Sequence, residues 1–545
     1  MRTIAFVLPL AYWPLTYDHY VLPKLLVARF AVLALAILLV TRIAMSGRLT
    51  VKRTPLDLPL LALFASAVLS ALLGVNQNIA IFGTYARYDG VLTLCTYVAL
   101  FWLTVQALQR IVDARALLRA LIASGFVVAV IAIIQWIGDA ASGQRAYGTM
   151  GNANVLGAFL VLLCPAAYIE LLSAKSAVAR VLAGNALVAM LLALLLTVSR
   201  SSWIGLGVAI AILLIGRQLP AMRNRLLQAA TVVLVLGAAA LAPVGLEHGT
   251  TNAGAVSSVE TVSNRLHVWQ DTIPLIAERA LVGYGPDTFG LTYPRFQSGN
   301  WGNYAQFDKA HSEVLQLAAT QGLIGVAIYM WLLASFALLF WRGPRPPMAW
   351  GLLASWIGYQ VVLQFNFTAL SAALPFWIFT AAAVVIFSKG EATSVAVPGP
   401  PPLNRIGGFV AAGGLVLLAV PALAMPYLAD VRLKQAVDEV IAGDRATAAA
   451  FAVEARRLAS QESVYAVEAG NIAFERHDWV EAEEAYSAAA ALGSFDPRMY
   501  RYLAITEQQL GKMDEARAAA HAAVYLNRFD PVNQALLAQM NSGRP

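Results

Sequence analysis

Apolar runs of roughly 20 residues recur along almost the whole of this chain, and they limit what it can fold into more than any other feature. They lie at about 3–17, 22–43, 55–74, 91–109, 115–137, 153–173, 178–197, 202–216, 224–245, 312–341, 347–367, 369–388 and 406–428, the first and eighth being the shortest. A helix needs about 20 apolar residues to cross roughly 30 Å of hydrocarbon, where every backbone polar group must be satisfied internally. The pattern predicts an all-α polytopic membrane protein with 12–13 transmembrane helices. Composition agrees, with 59% hydrophobic and only 13% charged residues, against about 25% charged in soluble domains. Mean hydropathy is +0.65. The net charge of +7 sits in short clusters between apolar runs, which is a topology signal and excludes a nucleic-acid footprint. Cys95 and Cys164 lie inside apolar runs, so neither a disulfide framework nor a thiolate metal site is expected. Met1-Arg2 and the apolar stretch to Pro14 read as a retained first helix rather than a signal peptide.

Every second connection is basic: Arg42 to Arg53, Arg110 to Arg119, Lys175 and Arg180, Arg217 to Arg225, then Arg342 and Arg345. The positive-inside rule puts these in the cytoplasm, with the N-terminus. The alternate connections carry isolated cations, Arg87, Arg145 and Arg200, which topology does not explain. The same alternation puts a large loop, 246–311, outside, and its length argues for an ordered functional loop. The Pro-rich stretch at 391–405 reads as a cytoplasmic linker before a final span at 406–428.

From 431 to 545 the composition changes to Ala, Glu and Arg at helical spacing. Phe495-Asp496-Pro497 recurs 34 residues on as Phe529-Asp530-Pro531, and Ala482 as Ala516. This period resembles tetratricopeptide (TPR) repeats, whose helix pairs bury their faces only by stacking on neighbours. A degenerate unit from Asp444 to Ser463 supplies a third repeat. Thirteen spans put this domain outside, twelve inside.

Chemistry-bearing residues cluster at the outer boundaries. Phe82 to Gly90, containing Arg87, reads either as an interfacial aromatic belt with a snorkelling cation or as a substrate contact. In Gly151-Asn152-Ala153-Asn154 the asparagines read as helix caps or as ligands. Ser199-Arg200-Ser201 places a guanidinium where cations are disfavoured, so it calls for a partner, either an anion or helix-end carbonyls. Asn264 to Arg279 reads as an amphipathic helix carrying Arg265. Gly283-Tyr284-Gly285-Pro286 reads as an ordinary turn or as a phosphate cradle. His311 opens a membrane helix just before Glu313, and an imidazole there can accept a proton near neutral pH. No cluster has metal-ligand spacing.

In order and spacing, Gly151 to Asn154, Ser199-Arg200-Ser201, Arg265 to Trp269, Gly283 to Pro286, and Ala310-His311-Ser312-Glu313 through Gly325 resemble the O-antigen ligase superfamily, which includes O-antigen polymerases and bacterial O-oligosaccharyltransferases. The resemblance covers residues 1–390. It implies cofactor-free, metal-independent glycosyl transfer from an undecaprenyl-diphosphate-linked glycan to an acceptor hydroxyl, at the outer face of the bacterial inner membrane. Arg200 and Arg265 match the arginines taken to hold the diphosphate, and His311 matches the histidine taken to activate the acceptor. Arg87, Asn152, Asn154 and Glu313 are second-tier substrate-binding candidates: Arg87 for phosphate or the lipid entrance, Glu313 to orient His311 or contact sugar. The implied partners are the donor lipid, a lipid, protein or cell-wall acceptor, membrane lipids, and a protein recruited by the repeats. A ligase leads. A polymerase or protein O-oligosaccharyltransferase uses the same donor, while a transporter or an envelope scaffold would need intramembrane repeats or working repeats alone.

Overall fold

In the computed structural model the residues described are 1–46, 48–139, 143–216, 258–299, 307–388, 393–398 and 403–542. A short helix, α1 (Arg2–Val7), continues through one tight turn, Leu8–Leu10. Then come α2 (Val21–Ser46), a strand β1 (Arg48–Arg53), α3 (Asp57–Leu73), α4 (Gln77–Phe82), α5 (Val91–Ala107), α6 (Ile111–Gly138), α7 (Ala153–Ser173), α8 (Ala177–Leu196) and α9 (Arg200–Ile215). The loop helix α10 (Ser258–Glu278) follows, and then α11 (Glu313–Arg342), α12 (Pro347–Leu363) and α13 (Leu370–Phe387). Strand β2 (Thr393–Pro398) precedes α14 (Leu403–Ala419). Seven described helices are long and apolar enough to cross a membrane, with shorter apolar ones beside them.

Helices occupy eleven of the thirteen expected spans, α2, α3, α5 to α9 and α11 to α14. The expected span at 224–245 lies outside the described residues. The first expected span is corrected: Arg2–Leu10 is too short to cross alone. Arg2 pairs with Asp113 at the start of α6, at 3.3 Å. At the other end the Thr149 hydroxyl donates to the Pro9 carbonyl at 2.8 Å, so the loop preceding α7 comes inward to meet the short segment. Lys24, fully buried, fastens the same junction by donating to the carbonyls of Ala11, Tyr20 and Thr149. The basic connection at 48–53 and the linker, both expected as irregular, pair as an antiparallel ribbon with Arg48 opposite Pro398 and Arg53 opposite Thr393.

Every residue of α13 is buried, which makes it the central post of the bundle. Its sequence, apolar on all sides, admits no other position. Helix α11 is interrupted at Gly322 (φ 70°, ψ −175°). The freed backbone groups are taken up by the segment after α10: Leu323 N donates to Ala280 O (2.7 Å), Tyr284 N to Ala319 O (3.0 Å) and Gly285 N to Thr320 O (2.9 Å). A broken membrane helix is tolerated only when its orphan groups are satisfied in this way. The glycines at 283–285 therefore serve close backbone packing, and the Tyr284 and Gly285 N–H groups are already committed. A Cβ at Gly322 would lie 2.1 Å from the Leu281 carbonyl oxygen. Gly322→Ala is expected to cost at least about 2 kcal/mol, from positive φ together with that overlap. Thermal unfolding of the purified chain checks this, with Gly413→Ala, where a Cβ meets nothing within 4 Å, as the neutral control.

Helix α14 runs through a π turn (Val420–Ala424) into α15 (Met425–Ala442), so the last span and the first helix of the repeat region are continuous. After it, α16 (Arg445–Leu458) and α17 (Ser463–Glu475), α18 (Trp479–Ala491) and α19 (Pro497–Gln509), and α20 (Met513–Leu526) and α21 (Pro531–Ser542) form three TPR-like pairs. The 34-residue period is visible in the packing. Ala448, Ala482 and Ala516 are fully buried, as are Ala455, Ala489 and Ala523, where small side chains let successive helices approach. Asp444 and Asp478 cap two of the first helices, and Lys512 holds the third equivalent place. The repeats dock on the face that carries α10 and the Phe82 to Gly90 segment. Asn78 Nδ2 donates to the Gln461 carbonyl at 2.9 Å. Buried Asp430 accepts from Asp18 N (2.9 Å), Tyr85 Oη (2.5 Å) and Tyr465 Oη (3.3 Å).

Candidate functional site

The turn between α8 and α9 is strained, with Val198 at φ 48°, an unfavourable conformation for a β-branched residue. Arg145 Nε donates to the Thr197 carbonyl at 2.6 Å and braces that turn, and its other end reaches Asn154 Oδ1 at 2.8 Å. Asn152 caps α7, its Oδ1 accepting from the N–H of Asn154 (2.8 Å) and Val155 (3.4 Å). Thus both asparagines are engaged in building the start of α7. Ser199 is the N-cap residue of α9, which leaves Arg200 as the first residue of that helix.

Arg265 comes from α10, which is held against the end of the loop by Trp269 Nε1 donating to the Ala310 carbonyl at 3.0 Å. Burial and then the like charge of Arg200 depress the pKa of Arg265. His311, at φ 51°, is pushed down to about 4, first by burial and then by Arg265, with Asp308 opposing. Its Nδ1 is buried without a hydrogen-bond partner among the described residues. Arg145 also lies in the field of Arg265. Arg200, Arg265 and His311 therefore gather in one region. Among the described residues neither Arg200 nor Arg265 has a carboxylate or hydrogen-bond partner, so the region presents uncompensated positive charge beside a neutral imidazole.

That charge balance predicts a pH response. A depressed pKa keeps His311 unprotonated through the neutral range, and removing a nearby cation must raise it. Modification of His311 by diethyl pyrocarbonate, followed by mass spectrometry, is expected to be half-maximal near pH 4. In Arg265→Gln the midpoint is expected to move upward.

Four consecutive residues, Asp308 to His311, tie the site to the rest of the fold. Asp308 pairs with Arg87 at 2.5 Å, and the Arg87 guanidinium lies 5.0 Å from the Phe367 ring centre. The opposite side of the same contact set is His311, 5.4 Å from Phe367. Lys309, 1% exposed, is held between Asp89 (2.6 Å) and Asp287 (2.8 Å). Burial works against its charge, but the two carboxylates outweigh it and keep it an ammonium. Asp287 also accepts from Thr84 N and Thr84 Oγ1, at 2.6 and 2.9 Å. Asp89, Asp287, Asp308, Lys309 and Phe367 were not singled out from the sequence. The signal that pointed toward them was a concentration of charge at apolar boundaries.

Two cavities adjoin this network. The one nearer the loops, about 240 Å³, is lined by Asp18, Tyr20, Arg87, Asn152, Lys309 and Ser371 among others. A deeper one of about 110 Å³ is lined by Glu313, Asp89, Tyr97, Gln316 and Tyr359. Glu313 accepts from Thr368 N at 2.8 Å. It faces the deeper cavity and makes no hydrogen bond to His311, so the expectation that it orients the imidazole is not met.

Residues 186–330 match a family model described as O-antigen ligase, a segment that includes Arg200, Arg265 and His311. Among solved structures, a chain of the crystal structure of the APC/C hetero-tetramer Cut9-Hcn1 is similar at 11% identity over 82% of this chain and 76% of that one, with a TM-score of 0.20. That score carries no statement about fold. No curated protein matches.

Proposed function

The chain is a multi-pass membrane protein with a domain of the O-antigen ligase family, whose members carry out ligase- or polymerase-type glycosyl transfer, and from that premise we propose that it moves a glycan from an undecaprenyl-diphosphate-linked donor to an acceptor hydroxyl at the outer face of the bacterial cytoplasmic membrane. The observation that carries this reading is the pair of guanidinium groups, Arg200 and Arg265, left without counter-charge beside His311. A lipid diphosphate supplies the missing anion, and planar guanidinium groups suit its oxygens. As the acceptor oxygen bonds to the anomeric carbon, the bond from that carbon to the phosphate oxygen breaks. The proton of the attacking hydroxyl passes to His311, and the departing charge rests on the two arginines. One such displacement inverts the anomeric centre and needs no metal ion.

Binding of the diphosphate also tunes the base. Arg265 holds the His311 pKa down in the free protein, so an anion on Arg265 raises it and makes the imidazole a stronger acceptor once the donor is present. The repeats would stand on the outer side and recruit a protein partner. The test is transfer by the purified full chain in nanodiscs, given a polyprenyl-diphosphate oligosaccharide and a panel of acceptors. Release of polyprenyl diphosphate with a new inverted glycoside is expected, and lengthening of the lipid-linked glycan itself would mark a polymerase. Undiminished transfer in Arg200→Ala, Arg265→Ala and His311→Ala together would overturn the reading.

A further inference from the structure

Charge accounting separates two neighbouring regions around His311. On one side Arg200 and Arg265 have no counter-charge among the described residues. In the loop-side cavity every cation is matched: Arg87 by Asp308, and Lys309 by Asp89 and Asp287. Asp18 there is committed as well, accepting from the N–H groups of Tyr20, Val21 and Leu22 at 3.0, 2.9 and 2.9 Å. An anion gains nothing by entering such a cavity, because each cation it meets already has a carboxylate. Hydroxyl groups do gain, since paired carboxylates and guanidinium groups keep spare lone pairs and N–H bonds. Ser371 gives a second, independent sign. It lines the cavity and is 2% exposed, and its Oγ has no hydrogen-bond partner among the described residues. A buried hydroxyl left unmatched costs free energy until a ligand meets it. Tyr20 and Phe367 add ring faces to the same wall, the combination of flat apolar surface and dispersed polar groups that a pyranose presents in complement.

We propose that the cavity bounded by Arg87, Lys309, Asn152 and Ser371 binds a neutral sugar ring of the acceptor, so that the acceptor is a glycan rather than a serine or threonine of a protein. This rests on the reading above, in which the diphosphate occupies Arg200 and Arg265. Direct displacement needs the attacking hydroxyl and the leaving oxygen on opposite sides of the anomeric carbon, so the acceptor requires a subsite of its own. The loop-side cavity borders His311 through Phe367, which both Arg87 and His311 touch.

Saturation-transfer NMR on the full chain in nanodiscs tests this without requiring turnover. The probes are methyl glycosides of neutral hexoses and of N-acetylglucosamine, a serine-containing peptide, and inorganic pyrophosphate. The methyl glycosides are expected to bind, to lose their signal in Ser371→Phe, and to weaken roughly threefold to tenfold in Ser371→Ala, which removes one hydrogen bond. They are expected to bind Arg200→Ala and Arg265→Ala as well as the unaltered chain. Pyrophosphate should show the reverse dependence, and that arm tests the diphosphate site separately. Silence of the neutral glycosides, their indifference to both Ser371 variants, or peptide binding in their place would overturn the proposal. If Ser371→Phe fails to fold, Ser371→Ala decides.

Discussion

Arg265→Ala is expected to lower glycan transfer by roughly 10²–10³-fold, the usual loss when a preorganised donor to developing charge is removed. Arg200→Ala should lose about as much. The double variant should fall well short of the product of the two, because both side chains act on one leaving group. Folding should respond in the opposite direction. Arg265 is strained by burial and by Arg200 in the free protein, so each alanine variant is expected to unfold at the same temperature as the unaltered chain or slightly above it. Lost transfer with retained or raised thermal stability marks a group kept for a ligand. If transfer and stability fall together, these arginines hold the fold and the diphosphate assignment fails.

Lys309→Met should behave in the reverse way. Removing one partner from a buried ion network leaves Asp89 and Asp287 without compensation, a change that typically costs about 3–5 kcal/mol. Transfer should disappear as well, since Lys309 ties the His311 segment to the loops carrying Asp89 and Asp287. A stranded buried carboxylate takes up a proton, so its folded pKa rises above the unfolded value, and the penalty is present above the unfolded pKa and fades as pH falls. Unfolding at neutral pH and near pH 5 should therefore show a deficit that shrinks in acid. Adding Asp287→Asn to Lys309→Met should recover part of the loss. A deficit that does not vary with pH would show that packing, rather than charge, makes Lys309 necessary.

How much of this was legible in the sequence depended on the range of the interactions. The spans were legible because hydropathy is a local property, and α2 to α9 and α11 to α14 lie where the apolar runs are. The repeats were legible because Ala448, Ala482 and Ala516 occupy the same buried place at a fixed period. The first helix was not, since its shortness reflects a loop 140 residues further on that meets it at Pro9. The ribbon of β1 and β2 also escaped notice, because neither strand alternates apolar and polar residues against a core. At the site, the isolated arginines could be recognised by their unfavourable placement. Their partners could not: Arg87 pairs with Asp308 and Lys309 with Asp89 across more than 200 residues, and no local pattern records such a match. The glycines at 283 and 285 were visible, but only the break in α11 explains them.

A shortened chain ending after the last span would lose Asp430, the one acceptor that Asp18 N and Tyr85 Oη share at the junction. Tyr85 lies two residues from Arg87, and Asp18 lines the loop-side cavity. Such a truncation would strand an amide and a phenol at the edge of the chamber, so its inactivity would say nothing about whether the repeats recruit anything.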